Sequence, residues 1–272
     1  MLNLIRCEFF KLKRKPFLWG LLGLSALLPL LLVFYELPNQ QGMTGLTQAY
    51  KAGRFDYYCQ CLCVYAFVLL MPCLVGVLSC FLFFMERDND TFKNLRAVPV
   101  TAGQLVFAKV LAMLLLELLF STLLFGFLAL FFTLFGIGAL THGLSMFWMC
   151  EISGLLLFAA SLPVVVLVVF FNGSTLISLL LSFFCSILGW ASIMLLAQLA
   201  NGDPRWKLLF PLHPSFCTMQ WTSWFFRSPA EQARMMQMDL FVPDTGHTLL
   251  LDLGVAAVSL ALVLRYYKRW TR

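Results

Sequence analysis

Long apolar runs recur along the whole chain, and they decide what it can fold into. Stretches of about 18 or more residues, each long enough at about 1.5 Å per residue to cross a hydrocarbon core roughly 30 Å thick, fall at about 17–35, 61–85, 105–135, 146–171, 174–200 and 247–266. The last is the weakest, with Asp252 near its start. Hydrophobic residues make up 61% of the chain, well above the roughly 45–50% of a soluble domain. An ordinary soluble globule is therefore excluded. The sequence predicts an all-α integral membrane protein with six transmembrane helices, a membrane-spanning domain over 17–272 preceded by a short segment, 1–16.

Residues 11–15 are basic, but the apolar run after them is too long for a signal peptide and lacks a small-x-small cleavage site. The first span is expected to stay in place. Six spans put both termini on one side, and Lys and Arg favour the inside. With the N-terminus inside, the inner segments hold Arg6, Lys11, Lys13, Arg14, Lys15, Arg87, Lys93, Arg96, Lys109, Arg265, Lys268, Arg269 and Arg272. Both termini are thus expected to be cytoplasmic. The net charge of +6 is explained by that orientation, with no need of a nucleic-acid partner.

Before the first span, Leu2, Ile5, Phe9 and Leu12 recur at helical spacing while the cations fill the rest. That is the pattern of an amphipathic helix lying in the membrane interface, its cations among lipid head groups. The outer segment 36–58 reads as a polar connector, and Asn172-Gly173-Ser174 as a turn. The outer loop of about 201–246 is different: it carries Trp206, Trp221 and Trp224 among several Phe and Pro. Such rings favour the membrane–water boundary. The loop is expected to fold back on the bilayer as short helices, either as an aromatic belt or as an outer gate touching substrate.

The stretch MERDNDTFKNLRAVPV, residues 85–100, is out of character with its surroundings, because charged residues crowd into it between two apolar runs. Asp88, Asn89 or Asp90 can cap a short helix, Lys93 and Arg96 suit its C-terminal end, Phe92 and Leu95 share a face, and Pro99 stops it. Thr101-x-x-Gln104 then forms a capping-box signature before the third run. A compact charged helix of about 86–99 with an apolar pair has the shape of something inserted into a groove on a partner.

With this order of elements the chain resembles a permease of the type-2 ABC exporter superfamily. Glu86, Thr91, Leu95, Pro99 and Lys109 stand where that family's loosely repeated E…T…L…P…K pattern has them, although Asp90 replaces the Gly that often precedes the Thr. The opening NLIRCEFFKLKRKPFLWG is similar to the lantibiotic-protection subgroup, whose permeases expel membrane-active bacteriocins. The resemblance implies that Glu86, Arg87, Asp88, Asp90, Thr91, Phe92, Lys93, Leu95 and Arg96 form a coupling helix for a separate ATPase subunit. It also implies a second permease, identical or paralogous, and a hydrophobic or peptide substrate. ATP and Mg would sit on the ATPase, since this chain has no G-x-x-x-x-G-K-[ST] motif; it is expected to be a non-catalytic subunit that binds no cofactor.

Within the spans, Glu117 stands near mid-membrane, where an ionisable group is expensive and marks a functional site unless it is protonated or bonded to a neighbouring helix. Glu151 and Asp252 lie nearer the outer ends; Glu151 joins Glu117 as a candidate for the translocation path. Pro72 and Pro163 fall inside spans two and four. Cys59, Cys61 and Cys63 are read as packing residues, since neither their spacing nor a nearby His resembles a zinc site. A secondary transporter or channel would show more intramembrane charge or an internal repeat. A membrane enzyme would show a catalytic motif, and His142, His213 and His247 supply none.

Overall fold

The computed structural model describes residues 2–13, 17–40, 48–88, 100–171, 174–202, 204–227, 232 and 242–270. The described residues are helical almost throughout, with no strand among them. In chain order the helices are α1 (Leu2–Lys13), α2 (Phe17–Gln40), α3 (Gln48–Cys61), α4 (Phe67–Asp88), α5 (Ala102–Leu134), α6 (Gly143–Phe170), α7 (Thr175–Gly202), α8 (Pro214–Phe225) and α9 (Thr245–Trp270). A single π-turn, Leu62–Ala66, joins α3 to α4, and a 3-10 helix, Pro204–Leu212, precedes α8.

Five of these helices, α4, α5, α6, α7 and α9, are long and apolar enough to cross a membrane. The first expected span lies in α2, whose described apolar part is the shorter Gly23–Leu37. The described residues of segment 36–58, expected as a connector, are helical instead: α2 runs on to Gln40, and α3, from Gln48, continues through the π-turn into α4. The polar residues of α3 disguise it, because its other face packs on α5 and α6 through Phe55, Tyr58 and Cys59.

Local signals place the ends of α5. Thr101 accepts from the Gln104 backbone N–H at 3.3 Å while the Gln104 side chain accepts from the Thr101 N–H at 2.9 Å, the reciprocal capping box. At the far end Gly136 takes a positive φ of 68°, and the Ile137 N–H reaches back to the Phe132 carbonyl at 2.9 Å. That is the left-handed helix stop for which Gly is suited. It tucks Ile137 into the core.

The helices bury their side chains in two apolar clusters. One, toward the α3 end, gathers Phe55, Phe67, Phe120, Leu128, Phe132 and Met146; the other, toward the opposite end, gathers Val75, Leu78, Phe83, Val110, Val165 and Tyr267. Helix α6 is the hub, packed against α4, α5 and α9, and α4 is held between α6 and α7. The α4–α7 approach depends on Gly76. A Cβ there would collide with Ser182 of α7 and lie 3.1 Å from Val164 of α6. Small residues let apolar helices approach closely where no hydrophobic force drives them together. Gly76→Val is therefore expected to lower stability by about 1–3 kcal/mol, the usual cost of overpacking. Thermal melts in detergent check this, with Gly126→Ala, where a Cβ meets open space, as the unaffected control.

Candidate functional site

Two turns beyond the α5 capping box, Lys109 turns into the protein with 0% of its surface exposed. Its Nζ donates to the Leu82 carbonyl at 2.6 Å, to Glu86 Oε1 at 2.8 Å and to Glu8 Oε2 at 3.4 Å. It also stands 5.6 Å from the centre of the Phe83 ring. Leu82, Phe83 and Glu86 belong to the last turns of α4, where the charged insert begins.

Glu86 is the centre of this arrangement. Its Oε1 also accepts from Lys11 at 3.0 Å, and its Oε2 accepts from the Tyr267 hydroxyl at 3.0 Å. Lys11 in turn donates to Glu8 at 2.6 Å, and Tyr267 packs edge-on against Phe83. Two carboxylates and two ammonium groups thus compensate one another, and the network joins α1, α4, α5 and α9. Burial by itself would lower the Lys11 pKa, but the carboxylates of Glu8 and then Glu86 outweigh it and hold the group above the ordinary lysine value. Lys11 therefore stays charged at any physiological pH.

Among the nine residues expected to couple to a partner, Glu86 is the one whose side chain is described. It faces inward, 2% exposed, so it anchors the base of the insert rather than presenting itself to a docking surface. Arg87 and Asp88 close α4, and nothing is described of their side chains; Asp90, Thr91, Phe92, Lys93, Leu95 and Arg96 lie outside the described residues. Lys11, expected among lipid head groups, instead serves the buried network through Glu8 and Glu86.

Glu117 stands at the midpoint of α5, 1% exposed, with neither carboxyl oxygen hydrogen-bonded among the described residues. Glu151, on α6, accepts from Ser121 at 2.8 Å and from Thr122 at 2.9 Å. Asp252 is buried in α9 and accepts from Thr218 of α8 at 2.7 Å. The three tryptophans are not brought together as one surface. Trp221 is buried, donating to Thr245 at 2.9 Å and stacked on Phe225, whereas Trp206 is exposed and Trp224 half-buried. Trp221 thus fastens α8 to the start of α9.

Several groups escape a reading by spacing. Glu8 and Tyr267 join the network over sequence separations of 101 and 181 residues. One clue was present: Glu8 is the lone acid before Glu36. Glu36, assigned to the polar connector, is buried at the far end, paired with Arg54 and bonded by the Tyr58 hydroxyl. Burial, followed by the Glu36 carboxylate, raises the Tyr58 pKa above the ordinary tyrosine value. Cys63, presented by the π-turn, lies 3.3 Å from Cys150. Among the described residues no group of three or more His, Cys, Asp or Glu is placed to hold a metal ion.

Residues 4–189, about two thirds of the chain, match the family model described as ABC-2 family transporter protein. The chain belongs to that family. The matched region includes Glu8, Lys11, Glu86, Lys109, Glu117 and Glu151, and stops short of α8 and α9. No curated protein matches the chain.

Removing one partner of a buried ion network strands the others without water. Lys109→Met is expected to cost about 3–5 kcal/mol, with a second substitution, Glu86→Gln, returning part of the loss. A thermal-shift comparison of the two single variants and the double variant checks this. Additive losses would show that the two groups do not depend on each other.

Proposed function

We propose that this membrane permease subunit of an ABC transporter receives the stroke of its ATPase through the insert at 86–99, and that Glu86 passes it into the bundle. Family membership supplies the class of protein and implies an ABC ATPase as partner. The Glu86 network is the observation that supports the route. A displacement of the insert pulls on the last turn of α4, and there one carboxylate is bonded to α1, α5 and α9 at once. Buried polar networks have discrete bonding arrangements rather than a continuum, which suits a part that switches between two states.

In this reading the insert docks through Phe92 and Leu95, framed by Arg87, Asp88, Asp90, Thr91, Lys93 and Arg96, into a groove of the cytoplasmic ATPase, which holds ATP and Mg. The chain sits in a bacterial cell membrane with six spans and both termini inside, and it forms half of a pathway completed by a second permease. The substrate is a lantibiotic or similar membrane-active peptide, expelled for self-protection; a different hydrophobic compound or drug is the alternative. Support for the peptide comes from the N-terminal resemblance. Glu117 and Glu151 are assigned to the path, and Trp206, Trp224 and the packed Trp221 to its outer rim.

The direct test is purification of the tagged chain in mild detergent, wild type beside Lys93→Glu/Arg96→Glu. An ATPase is expected to co-purify with the wild type and to be lost from the variant while the permease remains monodisperse. Retention of the ATPase by the variant would remove the insert from the docking surface. Cells carrying the intact pair are expected to survive higher lantibiotic doses than cells carrying the variant.

A further inference from the structure

Glu151 of α6 bonds to Ser121 of α5, one turn from Glu117, and among the described residues neither acid is paired with a cation. Between Lys109 and His142 the sequence has no Lys, Arg or His, and from Gly143 to Pro204 it again has none. The two flanking candidates are engaged elsewhere: Lys109 by Glu8 and Glu86, and His142 by Asp56 at 3.0 Å.

Glu151 lies about 12 Å along α6 from its start at 1.5 Å per residue, yet it is only half-buried. Ser121 and Thr122 hold its Oε1, and Thr122 itself is exposed. A half-exposed carboxylate at such depth is expensive against lipid tails. A carboxylate there favours a polar or cationic neighbour over lipid tails. Leu119, Trp148 and Leu155 stand exposed around it, at 48%, 54% and 45%, an apolar rim with one aromatic ring a turn from the carboxylate. One turn deeper on α5 than Ser121 lies Glu117, with neither oxygen hydrogen-bonded among the described residues and 1% of its surface exposed. An acid buried without a partner requires a proton or an incoming cation.

Resting on the assignment of Glu117 and Glu151 to the transport path, we infer that the seam between α5 and α6 receives the cationic group of an amphiphilic substrate. Glu151 and Trp148 meet it at the open end, and Glu117 draws it inward. The carboxylate supplies charge, the Trp ring attracts a cation through its face, and Leu119 and Leu155 take up the apolar remainder. Thr122 and Ser121 keep the Glu151 carboxylate oriented before anything binds.

The test uses the full chain in nanodiscs of phosphatidylcholine, a zwitterionic lipid that does not compete for cations, and radiolabelled tetraphenylphosphonium as the probe. Wild type is expected to bind it saturably and to release it to dodecyltrimethylammonium but not to the uncharged dodecyl maltoside. Glu151→Gln or Glu117→Gln is expected to raise Kd tenfold or more, with melting temperature showing that each variant is folded. Should Glu117→Gln fail to fold, Glu151→Gln decides alone. Absence of saturable binding, equal displacement by both detergents, or a Kd unchanged in the folded variants overturns the inference, leaving the acids as protonated groups or as contacts to a second copy. The measurement needs no ATPase, so its outcome is separate from that of the co-purification.

Discussion

Everything at the Lys109 end of the bundle depends on one buried cation being fully surrounded. An ammonium group with 0% exposure would be prohibitively costly alone, and is tolerable only when its donors all find acceptors at good geometry. Here a main-chain carbonyl and two carboxylates provide them, and a ring face covers one side. The same demand fixes the neighbours. Glu86 has to lie on the inner side of α4, α1 has to lie across α5 so that Glu8 and Lys11 arrive together, and α9 has to bring Tyr267. Apolar packing alone tolerates helix rotations of a few degrees, whereas hydrogen bonds of 2.6–3.0 Å do not. The network therefore specifies the relative register of four helices more sharply than the surrounding Phe and Val contacts.

What the sequence makes legible is what is local. Apolar length announces the spans, Thr101-x-x-Gln104 announces the start of α5, and the position of Glu117 is read by counting residues. The pairing of groups from different helices is not local. Glu86 and Lys109 stand out by their place in a family pattern, but which charges each meets depends on helix rotation and register, for which one sequence carries no signal. Glu36 illustrates the converse error. In a string of polar residues it reads as a loop acid, and only the packing of α3 on α5 reveals that it is enclosed. The insert's contact residues, whose chemistry was the loudest signal in the chain, fall outside the described residues, so the structure contributes their base and not their surface.

The aromatic loop divides along similar lines. Composition places tryptophans at a membrane boundary without distinguishing a ring that faces outward from one that serves as a rivet. Trp221 is the rivet: its indole N–H is satisfied by Thr245, and its ring is stacked. With the Thr218–Asp252 bond, it makes α8 part of the bundle rather than a flap. These two bonds tie α8 to α9, leaving Trp206 and Trp224 as the loop tryptophans with accessible surface.

The helical segment from Gln48 to Asp88 is continuous, and at about 1.5 Å per residue it is roughly 60 Å long, about twice the hydrocarbon thickness. Near each end a buried carboxylate is clamped by a cation and a tyrosine: Glu36 with Arg54 and Tyr58 at one, Glu86 with Lys11, Lys109 and Tyr267 at the other. Such a rod behaves as a torsion bar. A twist applied at one clamp reaches the other through two softer points, the π-turn Leu62–Ala66 and Pro72, which lacks a backbone N–H to donate. Cys63, held 3.3 Å from Cys150, sits at the first of them. The two faces of the protein are consequently joined by one helical rod whose compliance is concentrated at the π-turn and at Pro72.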